Sequence, residues 1–161
     1  MQYEIRKSDK SDAAEILELQ LIAFQSEAEI YNDYSIQPLI QTLEQVAAEY
    51  DSKIVLKAVV EGKIIGSVRA YEKGNTAYIG KLMVLPEYRN QGLGKLLLKA
   101  IEDSFQGRRF ELFTGFKSKK NIALYEKSGY RIFKTETITP DMSEVYMEKP
   151  AVSIRGTSLR E

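Results

Sequence analysis

Between Leu85 and Leu96 the chain reads PEYRNQGLGK, with Gly92 and Gly94 flanked by Arg89 and Lys95. The amides in the first turn of a helix have no intrahelical acceptor. Together with the helix dipole they form a site for anions, above all phosphates. A side chain at 92 or 94 would stand between a phosphate oxygen and those N–H groups, and glycine leaves them bare. The pattern R-x-x-G-x-G, placed after a strand and ahead of a helix, is therefore a diphosphate cradle, with Arg89 and Lys95 adding positive charge at either end. A strand-to-helix turn whose glycines serve only close packing would have the same sequence.

The rest of the composition narrows what chemistry can accompany that turn. Among 161 residues there is no cysteine and no histidine, so thiolate nucleophiles, thiolate metal sites, the commonest metal ligand and the commonest general base are all missing. No metal is expected, and proton transfer falls to Asp, Glu, Tyr, Lys, Ser, Thr or the backbone. Net charge is zero but unevenly placed: residues 1–60 hold 5 Lys+Arg against 11 Asp+Glu, and residues 61–161 hold 18 against 12. The later part suits an anion and the earlier part a cation. No basic face with interleaved aromatics points to nucleic acid. No apolar run approaches the ~18 residues of a membrane span, and Met1 leads directly into strand-like residues without a signal peptide. A cytoplasmic protein with no membrane partner is expected.

The elements that must position the turn follow from periodicity. Residues 3–8 read as a strand, and DKSD at 9–12 opens a helix with Ile16, Leu19 and Ile22 inward, ending near Glu27. A second helix runs from Leu39 to about Glu49. Residues 53–85 make three apolar runs separated by EGK and EKGN, the signature of consecutive antiparallel hairpins. After the glycine turn Leu93, Leu97, Ile101 and Phe105 recur every four residues, with Leu96 and Ala100 widening the stripe, so this helix lies on the sheet. A strand at 109–115, a short helix at 118–128 stopped by Gly129, and a closing strand pair complete an α+β architecture. One domain over residues 1–150 is expected, followed by a mobile tail at 151–161.

Two stretches carry a family resemblance. YIGKLMVLPEYRNQGLGKLLLKAI resembles the central signature of the GNAT superfamily of N-acetyltransferases: a strand, a proline turn, (Gln or Arg)-x-x-G-x-(Gly or Ala) and a long helix. IALYEKSGYRIF at 122–133 is similar to the family's second signature, L-Y-x-x-x-G followed by Phe or Tyr. The resemblance covers residues 3–149. It implies the GNAT fold, a mostly antiparallel sheet of six or seven strands flanked by about four helices, and acetyl-CoA as co-substrate. It also implies that strand 78–85 splays from 110–114. Pantetheine would then pair with the backbone of Leu82, Met83 and Val84, and the diphosphate would rest on the amides of Gln91, Gly92, Leu93, Gly94 and Lys95. Arg89, Asn90, Lys95 and Lys119 or Lys120 would meet phosphate charge. Ser118, where many relatives have Asn, and Asn121 would reach the pantetheine.

The reaction so implied is attack of a primary amine on the thioester through a tetrahedral intermediate. Removing a proton from an amine of pKa ~10.4 at pH 7 costs about 4.6 kcal/mol, whereas a thiol of pKa ~8.5 leaves with little help. Tyr125 occupies the family's acid position. No acid lies in the strand before the turn, so the base is Glu111, one of Glu27, Glu29 and Asp33, or water. Glu27, Glu29, Tyr31 and Tyr34 form an acidic, aromatic acceptor side suited to a small cationic amine. Two other functions fit the same residues: acetylation of a protein N-terminus or lysine, and acyl-CoA sensing without turnover. The resemblance also admits a homodimer.

Overall fold

Turn chemistry lays down the sheet. Glu61 and Gly62 both take positive φ, 50° and 79°, as a two-residue type I′ hairpin requires, and Gly74 at 62° turns the next pair. The computed structural model of the protein describes residues 3–151. Apart from Ala151, the tail expected to be mobile lies outside the described residues. Among the described residues seven strands form one sheet in the order β1-β2-β3-β4-β5-β7-β6. They are β1 (Glu4–Lys7), β2 (Ile54–Val60), β3 (Lys63–Lys73), β4 (Thr76–Val84), β5 (Arg109–Gly115), β6 (Arg131–Thr139) and β7 (Met142–Lys149). All neighbours are antiparallel except β4 and β5, which run parallel. The α+β class and the mostly antiparallel sheet agree with the expectation from sequence.

Among the described residues six α-helical segments flank the sheet where about four helices were expected, because the first two each break. The first divides at Phe24 into α1 (Ala13–Ala23) and α2 (Gln25–Tyr31). The second divides into α3 (Gln37–Ile40) and α4 (Leu43–Glu49), since extended Thr42 starts a new helix by accepting from the Gln45 amide while the Gln45 side chain accepts from its own. α5 (Leu93–Asp103) and α6 (Lys119–Lys127) follow the expected positions. In α5 the buried stripe is Leu93, Leu97, Leu98 and Ile101, and Leu96, expected to widen it, is exposed. A Cβ at Gly66 would meet Leu97 and Leu93, so α5 packs closely on one face of β3. Helix α1 turns Ile16, Leu19 and Ala23 toward the core as well.

On the other face of β3 a polar knot lies inside the apolar shell. Arg69 is 1% exposed; its Nε donates to Glu49 Oε1 at 2.9 Å, and its Nη2 donates to Gln20 at 2.9 Å and Gln41 at 3.2 Å. Burial would raise the Glu49 carboxyl, but Arg69, with Lys53 and Gln41, outweighs it and brings the carboxyl from 4.5 down to about 2. A carboxylate with a depressed folded pKa contributes stability that is present above its unfolded value and lost as pH falls through the folded one. Glu49→Gln is therefore expected to lower stability at pH 7 by about 2 kcal/mol and to flatten the loss between about pH 4.5 and 2. Urea denaturation across that range checks both.

Candidate active site

The gap in the sheet is a matter of three residues. β4 and β5 pair only through Thr76↔Arg109, Ala77↔Phe110 and Tyr78↔Glu111, and β5 from Leu112 to Gly115 then pairs with β7 alone. Past Tyr78 the β5-facing edge of β4 has no strand partner among the described residues, and the two strands diverge. A bulge adds to this. Ser67 faces Met83 but Arg69 faces Gly80, so β4 carries an extra residue there, with Lys81 in the left-handed region at φ 51°. Leu82, Met83 and Val84, expected along the pantetheine, thus sit on the open strand.

The glycine turn stands at the wide end of the gap. Asn90 at φ 62° and Gly92 at φ 82° take left-handed conformations, and Gly92 caps α5 without any side-chain hydrogen bond. The first bond of the helix is donated by Leu96 to the Gly92 carbonyl at 3.1 Å, which leaves the amides of Leu93, Gly94 and Lys95 without acceptors among the described residues. A Cβ at Gly92 would meet open space, so the cradle faces outward, as an anion site must. Bare amides, an open strand edge and exposed Lys95, Lys119 and Lys120 fit the diphosphate and pantetheine of coenzyme A.

Several expected contacts are placed differently. Arg89 turns inward: Nε donates to the Val84 carbonyl at 3.1 Å, Nη1 to Ser26 at 3.2 Å and Nη2 to the Ala23 carbonyl at 2.8 Å, so it ties the turn to the end of α1. Gln91 is bonded by the Tyr3 hydroxyl, and Asn90 is exposed. Ser118 and Asn121 meet α2. Ser118 Oγ lies 2.6 Å from both Glu27 Oε1 and the Tyr31 hydroxyl, and Asn121 Nδ2 lies 3.4 Å from Glu27 Oε1 and 3.2 Å from Thr114. Tyr31 also accepts from the Lys117 amide at 3.1 Å, in space that a Cβ at Gly115 would fill. Glu27 and Tyr31 thus bridge the mouth of the gap, while Glu29 and Tyr34 remain exposed beyond it.

Tyr125 is 8% exposed, and its hydroxyl bonds to no described residue. Burial, and then the Glu27 carboxylate, push it well above the ordinary tyrosine value of 10.0. It stays protonated, which suits a donor. Glu111 lies on the last paired rung, and by strand alternation it faces opposite to Thr114. Its carboxylate pairs with Arg109 at 2.9 Å. The structure does not bring Glu111 to the Tyr125 side. The Arg69 knot and the Glu102 cluster, where Tyr130 donates at 2.7 Å and Lys149 at 2.9 Å, were missed in the sequence. Gln20, a polar residue beside the buried Ile16 and Leu19 of α1, was the available signal for the first.

Known proteins share the sequence pattern and the fold. Residues 13–130 match the model of the acetyltransferase (GNAT) family. A Bacillus subtilis (strain 168) protein that carries an acetyltransferase name is 25% identical over 134 residues, 77% of this chain and 91% of that relative. YyaT of the same organism is 27% identical over 89 residues, 55% of this chain, and the match spans only 60% of YyaT. Among solved structures, the PaiA N-acetyltransferase of Thermoplasma acidophilum in complex with coenzyme A superposes with a TM-score of 0.75 at 20% identity, covering 92% of this chain and 99% of that one. The ribosomal-protein-S18-alanine N-acetyltransferase of Escherichia coli gives 0.78 at 20% identity, covering 99% and 100%.

The chain belongs to the GNAT family, and its class is that of acetyl-CoA-dependent acetyltransferases. No helix among the described residues is long and apolar enough to cross a membrane.

Proposed function

We propose that residues 1–150 form one catalytic domain, working in the cytoplasm, that transfers the acetyl group of acetyl-CoA to a primary amine of a small molecule by direct attack. The observation that carries this reading is the pairing of bare first-turn amides at Gly92–Lys95 with the open edge of β4. The amides of Leu93, Gly94 and Lys95 hold the diphosphate. The backbone of Leu82 and Met83 aligns the pantetheine arm along the strand, which places the thioester toward Lys81. Tyr125, buried and protonated, donates to the departing sulfur.

On the acceptor side, exposed Glu29 and Tyr34 support an ammonium-bearing ligand. Glu27 and Tyr31 support it less, since their polar atoms already meet Ser118 and the Lys117 amide. Glu111 is paired with Arg109 and faces away from the Tyr125 side, so the ammonium proton is assigned to water. Glu111→Gln is then expected to lower kcat by less than about twofold in steady-state assays. The function itself is tested by thiol release from acetyl-CoA against amino acids, simple amines, polyamines, aminosugars and peptides. Turnover with small amines supports the reading, and turnover with peptides alone overturns its acceptor.

A further inference from the structure

The knot beneath the bulge of β4 holds more cation than its carboxylate balances. Glu49 Oε1 meets both Arg69 Nε and Lys53 Nζ at 2.9 Å. Arg69 Nη1 is buried and has no hydrogen-bond partner among the described residues, a costly state for a charged group. Lys81 adds a third positive charge. It is half-buried and makes no hydrogen bond or ion pair among the described residues, although a non-glycine residue at φ 51° carries backbone strain of about 1 kcal/mol or more. The charges that act on it are Arg69 from β3, Glu49 from α4 and Lys53 from the link to β2. Burial, with Arg69 and Lys53, outweighs Glu49 and draws its pKa from 10.5 down to about 8.

Strain held at a bulge, an unpaired ammonium and an orphaned guanidinium nitrogen describe a site arranged for a charge it does not itself contain. Lys81 directly precedes Leu82 and Met83, the stretch assigned to pantetheine, and lies at its thioester end, away from the phosphate cradle. An anion there belongs to the acceptor. We propose that Lys81, backed by Arg69 and Lys53, forms an anion subsite that holds a carboxylate or similar oxyanion of the acceptor, so that the substrates are amines that also bear an acid. This inference rests on the N-acetyltransferase reading. It refines the cationic acceptor expected from sequence into one that is zwitterionic.

The test compares matched pairs with saturating acetyl-CoA: amino acids and the amines made by removing their carboxylate, with aminoalkylphosphonates as a second oxyanion arm and spermidine as a polycation. The expected result is a kcat/KM at least about tenfold higher for an acid-bearing member of a pair. That preference is lost in Lys81→Met and retained in part in Lys81→Arg, while calorimetric binding of coenzyme A shows both variants folded. A phosphonate preferred over a carboxylate still supports the subsite. Preference for the decarboxylated amines or for spermidine, or an acid preference unaltered in Lys81→Met, overturns it while leaving N-acetyl transfer in place. Absence of turnover with every amine instead overturns the reaction reading itself.

Discussion

Gly94→Val is expected to raise the KM for acetyl-CoA about 100-fold, with Gly94→Ala intermediate at about tenfold. The amides of Leu93, Gly94 and Lys95 have no acceptor among the described residues, so a phosphate there forms charge-assisted bonds without breaking existing ones. Each such bond contributes about 1.5–3 kcal/mol, and branched carbons beside the amides displace the anion from more than one. The fold tolerates the change. A Cβ at Gly94 would lie 3.4 Å from Leu124, an ordinary contact, so thermal stability should fall only slightly for alanine. Gly92 makes a poorer probe, because at φ 82° any side chain strains the turn whether or not a ligand binds. A KM for the amine that stays constant while that for acetyl-CoA climbs would place the defect at the phosphates.

Tyr125→Phe is expected to lower kcat by about 30-fold, the cost of expelling a thiolate of pKa ~8.5 unprotonated at pH 7, and to leave both KM values within about threefold. The ring is buried in the core beside Tyr130, with centroids 6.1 Å apart, and phenylalanine preserves that packing. Only the hydroxyl is removed, and it bonds to no described residue. Loss of stability should therefore be small. Because burial and Glu27 keep the hydroxyl protonated well past pH 10, the wild-type rate should rise with pH as the amine loses its proton, without a falling limb from Tyr125 below about pH 10. Stopped-flow release of thiol over pH 6–10 reads both effects. A loss confined to KM would make Tyr125 a packing residue.

The parts of the site legible in the sequence were those fixed by local rules. Gly92 and Gly94 announced bare amides because only a backbone conformation and a missing side chain were involved, and EGK announced a hairpin for the same reason. The breaks at Phe24 and Thr42 were harder. Apolar spacing continues through both, and what divides the helices is the turn of α2 toward Ser118 and a capping box that competes with continuation of the previous helix. Long-range polar pairing was least visible. Arg69 looked like an ordinary charge in a strand until Gln20 of α1, Gln41 of the link between α3 and α4 and Glu49 of α4 met around it. Arg89 matched a phosphate-binding position, yet the carbonyls of Ala23 and Val84 lie within its reach and take its donors. Lys81 gave no signal at all, since the strain that marks it appears only once β3 and β4 are in register.

The central claim is that the amides at the head of α5 grip the diphosphate of coenzyme A. Titration calorimetry of the full chain with coenzyme A measures this directly. One equivalent should bind with measurable heat, with an affinity that weakens as salt is raised and falls steeply in Gly94→Val. No heat of binding in the wild-type protein at low salt, or equal binding in wild type and Gly94→Val, would contradict it.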